Sequence, residues 1–169
     1  MRAAVGRIRS LAVGAALCLA CGCAAPSVAS RVTIQTLAAD ASGDAFRPTE
    51  TLRVYADRDV ADVRWKVNRP DGPVVRAGRV DASTAERLFV KLDSLGVWRL
   101  RGSYDPAKGE FTLVKIARGA RTHDFVWQEG SGKDAEAGAR IVESCRAFAD
   151  AHTTRTIEPG AEPSRSAGQ

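Results

Sequence analysis

The chain has 169 residues, 25 Lys and Arg against 20 Asp and Glu, and a formal net charge of +5. Three of the arginines fall in the first nine residues, which leaves 22 basic against 20 acidic residues, a balance of +2, for the rest. That balance excludes a strongly basic nucleic-acid binder, and the skew of 20 Arg to 5 Lys reflects a GC-rich genome better than a set of phosphate contacts.

Arg2, Arg7 and Arg9 are the only charged side chains in the first thirty residues, and the uncharged run "LAVGAALCLAC" follows from Leu11 to Cys21. A basic start, a short apolar stretch and the small-residue exit "ACGCAAPS" form the pattern of a secretory signal peptide. The run is short of the roughly 20 residues a membrane span needs. Three of the four cysteines crowd into this exit. The exit resembles a bacterial lipoprotein signal, in which a small residue precedes the cysteine that takes the lipid. Cys23, with Gly22 before it and Ala20 three back, is the favoured acceptor, and Cys21 is the alternative. Neither has Leu at the third position back, so ordinary cleavage near Ala25 or Ala29 stays open, which would give a soluble secreted protein of the periplasm. The resemblance implies anchoring by acyl chains. With Ala24 after the cysteine, it implies sorting to the periplasmic face of the outer membrane. "CLAC" has the spacing of a redox pair, but it lacks the strand-to-helix turn such a pair needs. Zinc would need further ligands, and the two histidines, His123 and His152, are far down the chain. No cofactor or metal is expected.

Residues 24–31, "AAPSVASR", read as a tether, and Val32 and Ile34 alternate in a short strand. "ADASGDAFRPTE" reads as loop, with Gly43 and Pro48 as breakers. Leu52, Val54 and Ala56 alternate next. Val63, Trp65 and Val67 then face one side, with Arg64, Lys66 and Asn68 on the other, as in a half-buried antiparallel strand. "RPDGPVV" turns the chain back into "VVRAGRV". Ser83 with Glu86 three residues on makes a capping box. Ala85, Leu88, Phe89, Leu92 and Leu95 then form the apolar stripe of a helix that Gly96 ends, with Val97 folding back over the last turn. "VWRL" reads as extended. "FTLVKIA" and "THDFVWQE" make a hairpin around "RGAR". A second helix carries Ile141, Val142, Cys145, Phe148 and Ala149. From Thr153 onward no apolar period remains.

The expected division is a signal at 1–22, a tether with a short strand at 23–48, an α+β domain at 49–152 and a disordered tail at 153–169. The domain is a single antiparallel sheet of five to six strands with two helices on one face.

No catalytic constellation stands out. Cys145 lies on the apolar stripe of its helix and reads as inert core, and His123 and Asp124 alternate to opposite strand faces. A remote enzyme reading rests on His123. "EGSGKD" has Trp127 and Asp134 where a phosphate loop needs Gly and Ser or Thr, and is rejected. Lys115, Arg118 and Arg121 surround a hairpin tip that reads as a solvated turn or as a contact for an acidic partner. Trp65, Trp98 and Trp127 read as core. The stretch "STAERLFVKLDSLGVWRLRGSY" before "FTLVKIARGARTHDFVW" resembles a recurring bacterial domain of unknown function, over about residues 50–150. The resemblance implies a fold and a secreted or anchored location, and carries over no functional residue. The expectation is a non-catalytic, lipid-anchored envelope protein of binding or scaffold type. The alternative is a periplasmic inhibitor of a hydrolase that uses the "RGAR" tip or the "YDPAKGE" loop.

Overall fold

In the computed structural model, which describes residues 29–40, 45–105, 107 and 109–157, the alternating stretches all become strands. They are β1 (Ser30–Ala39), β2 (Phe46–Ala56), β3 (Val60–Arg69), β4 (Gly72–Asp81), β5 (Glu110–Arg118), β6 (Arg121–Trp127) and the three-residue β7 (Arg155–Ile157). Helix α1 spans Ala82–Ser94 and α2 spans Ala135–His152. The strands form one sheet in the order β6-β5-β1-β2-β3-β4-β7, every neighbouring pair antiparallel. Both helices lie on one face, so the α+β fold is as expected, with six long strands and one short one.

The expected domain boundary at residue 49 is corrected. β1 is not part of a tether. It sits at the centre of the sheet between β5 and β2, and its Val32 and Ile34 are fully buried. Its alternation is hard to see because two inward positions are polar: Ser30 and Thr36 are both buried. Pro48 does not end the neighbouring strand either. Thr36 pairs with Glu50 and Leu37 with Pro48, so Thr49 is the extra residue of a β-bulge. A bulge tolerates a proline that cannot donate to the ladder. Thr49 Oγ1 ties the bulge down by donating to the Thr36 carbonyl at 3.3 Å.

The N-cap of helix α1 lies two residues before the expected one. β4 runs straight into it, and Asp81 is the N-cap, accepting from the Thr84 amide at 2.8 Å. Hydrogen bonds from the Ser83 hydroxyl, then from the Thr84 hydroxyl and amide, hold the Asp81 carboxyl well below the usual carboxylate range. Glu86, expected to close a capping box, pairs instead with Arg118. Gly96 takes the left-handed conformation (φ 76°) that ends the helix, and Val97 beyond it is fully buried, as the stripe implied. Val97–Arg99 form a 3₁₀ turn and not an extended segment.

α2 leans on β4 so closely that a Cβ at Gly78 would lie 1.8 Å from the His152 carbonyl oxygen. That approach lets the chain leave the helix beside the sheet edge. Thr153 is buried, its amide and hydroxyl both donating to the Ala149 carbonyl at 2.9 and 2.7 Å. Arg155–Ile157 then pair with Val75–Ala77. The expected disordered tail therefore does not start at Thr153. A three-residue strand held by backbone pairing needs no apolar period, which is why the sequence hides it. At the opposite edge, the Ser103 amide donates to the Val126 carbonyl of β6 at 3.1 Å.

Candidate functional site: the open face of the sheet

The helices cover one face of the sheet, and alternate residues of each strand point to the other. The register places Thr33 between Arg53 on β2 and Lys115 on β5, and Arg53 directly opposite Arg64 on β3. Arg31 and Lys66 lie on the same face, two positions along β1 and β3 from this row. Arg31, Arg53, Arg64, Lys66 and Lys115 are all exposed. Lys115 sits opposite Asp124 on β6. The other four, Arg31, Arg53, Arg64 and Lys66, form no ion pair among the described residues. The remaining carboxylate of the face, Asp62, is taken by Arg79 at 3.1 Å. Tyr55, opposite Arg31, is 47% exposed within this patch.

The far end of the same face is aromatic. Phe46, Tyr104 and Phe111 meet edge-to-face, with ring centroids 6.3, 5.0 and 4.7 Å apart. Phe46 and Tyr104 remain 39% and 41% exposed, so the cluster is a surface feature and not an extension of the core.

The sequence-level candidates are dispersed. Arg118 does not present its charge at a free hairpin tip: it is clamped by Glu86 and Asp93 of α1. Arg121 lies 4.2 Å over the Trp98 ring, a cation–π contact on the helix side. Only Lys115 joins the open face. Arg121 and Trp98 border a shallow cleft of about 490 Å³ together with Asp93, Ser94, Gly96 and Arg99. Cys21 and Cys23 lie outside the described residues.

His123 Nε2 is 2.8 Å from the Leu100 carbonyl, its ring stacked 5.9 Å from Phe125, while Asp124 is exposed on the opposite face. The two do not form a pair. Among the described residues no cluster of His, Cys, Asp and Glu could hold a metal ion, and no helix is long and apolar enough to cross a membrane. Cys145 is fully buried, and burial pushes its thiol up to about 12. With the other three cysteines replaced by serine, Cys145 is expected to resist a disulfide reagent at pH 8 until denaturant is added. Labelling of the folded chain within minutes would contradict this.

Sequence reasoning also missed a polar cluster beneath α2. Glu50, only 8% exposed, accepts from Trp65 Nε1 at 2.8 Å and from Arg146 Nε at 3.1 and 3.0 Å, with a further Arg146 contact through Nη2. The Thr36 hydroxyl reaches the same carboxylate at 3.3 Å and Thr112 at 3.1 Å. The available signal was Glu50 itself, an acid on the inward parity of Leu52 and Val54. The three tryptophans do not share a groove. Each sits at the core margin with its indole N–H donated, Trp65 to Glu50, Trp98 to Asp93 and Trp127 to the Ala135 carbonyl.

Fold and site together define an α+β domain whose uncovered sheet face is basic at its centre and aromatic at one end. The chain matches no protein-family model, and no curated protein is significantly similar to it.

Proposed function

We propose that the protein is a lipid-anchored component of the bacterial cell envelope, held at the periplasmic face of the outer membrane, and that its domain binds or scaffolds and does not catalyse. The observation that carries this reading is the N-terminal pattern: three arginines, an uncharged run from Leu11 to Cys21, and Gly22 immediately before Cys23. The groups that catalysis would call on support it. Cys145 is enclosed in the core, and His123 is bound to a backbone carbonyl.

The test is the intact mass of the protein recovered from bacterial membranes. The expected species begins at Cys23 and carries acyl chains, and Cys23→Ser is expected to move the protein out of the membrane fraction. Release by Cys21→Ser alone would transfer the anchor to Cys21. An unacylated species beginning beyond Ala25 would refute anchoring.

A further inference from the structure

The basic patch is built in a way that internal stability does not favour. Arg53 and Arg64 are direct cross-strand partners, and like charges in that position destabilise a sheet. Arg31 and Lys66 add two more cations within reach on the same face. None of the four is neutralised within the described residues, although the chain places carboxylates beside other surface cations such as Arg79, Arg118 and Arg140. An anion lying across β1, β2 and β3 would relieve the repulsion. Guanidinium pairs suit phosphate groups in particular, because each can donate two parallel hydrogen bonds.

We propose that this open face docks flat on an anionic phospholipid surface, the four cations Arg31, Arg53, Arg64 and Lys66 contacting lipid phosphates and the Phe46–Tyr104–Phe111 end settling at the head-group level. Aromatic and basic residues on one side are the combination that interfacial binding uses. The choice of a membrane as occupant rests on the anchored reading. Ser30 is seven positions beyond Cys23, so a lipid at Cys23 would hold the start of β1 within about 25 Å of the bilayer. Arg31 is the next residue along that strand. A nucleic-acid partner fits less well. The three rings, two of them exposed, pack edge-to-face on one another and do not present parallel faces for stacking bases.

The experiment uses the full chain carrying Cys21→Ser and Cys23→Ser, so that no acyl chain contributes. Its partition onto vesicles of phosphatidylcholine with one-third phosphatidylglycerol is compared with that of the same chain carrying Arg53→Thr and Arg64→Thr. Each cation near an anionic surface contributes roughly five-fold to partition, so the pair of substitutions is expected to weaken binding about 25-fold. Added salt is expected to do the same to the parent chain. Arg31→Thr with Lys66→Thr is the second variant, with a similar expected loss. Thermal melting checks that both variants fold. Equal partition of folded variants and parent would overturn the proposal. So would retention of the parent by heparin or duplex DNA at the same salt without binding to vesicles. The mass measurement on the native protein decides the anchor separately, so failure of the face and failure of the anchor are told apart.

Discussion

A chain that starts at Thr49 is expected not to fold. It would lack β1, whose two neighbours in the sheet are β2 and β5. Without it the β5–β6 hairpin loses its only strand partner among the described residues, and a hairpin alone is at best marginally stable in water. The core loses Val32 and Ile34, both fully buried. Single truncations report the same dependence in graded form. Ile34→Ala should cost about 2–5 kcal/mol, a large part of the roughly 5–15 kcal/mol that holds a typical domain together. Urea unfolding followed by circular dichroism measures both. A cooperative unfolding transition from the chain starting at Thr49 would show β1 to be dispensable and the sheet order wrong.

Arg146→Ala is expected to cost about 2–3 kcal/mol at pH 7. Removing one partner of a buried ion pair leaves the other charge without compensation, which typically costs 3–5 kcal/mol. The lower figure applies here because the Arg146 side chain is 38% exposed, so water already screens part of the pair. The stranded group is Glu50, left with the Trp65 indole and the Thr36 hydroxyl. Combining Glu50→Gln with Arg146→Met should recover most of the loss, because neither charge is then left alone. Urea midpoints of parent, single and double variants at pH 7 decide the matter. An Arg146→Ala chain within about 0.5 kcal/mol of the parent at pH 7 would mean that the cluster contributes little.

The elements legible in the sequence are those whose inward positions are all apolar. The Val63 strand, the Leu52 strand and the Leu88–Phe89–Leu92 stripe stand in the structure where alternation and helical spacing put them. β1 and the first half of β2 were obscured because Ser30, Thr36 and Glu50 take inward places, and Thr36 and Glu50 are satisfied by one another and by Arg146, not by apolar contact. No local rule reveals a partner 96 residues away. The hairpin tip failed for the same reason: its sequence shows the Arg118 cation but not Glu86 and Asp93, which neutralise it from α1. The basic face was half legible. Arg64 and Lys66 fall on the polar parity of their strand, yet only the strand register sets Arg53 against Arg64.

The short pairings at the two ends of the sheet bear on how copies of this protein behave toward one another. A strand with bare backbone donors and acceptors recruits the edge of a second molecule, and such joining can propagate into fibrils. β7 occupies Val75–Ala77 on one border, and the Ser103 amide occupies the Val126 carbonyl on the other. Molecules confined to two dimensions meet far more often than molecules free in solution. For copies anchored as proposed above, these few hydrogen bonds, together with the mutual repulsion of cationic faces, favour crowding without coalescence.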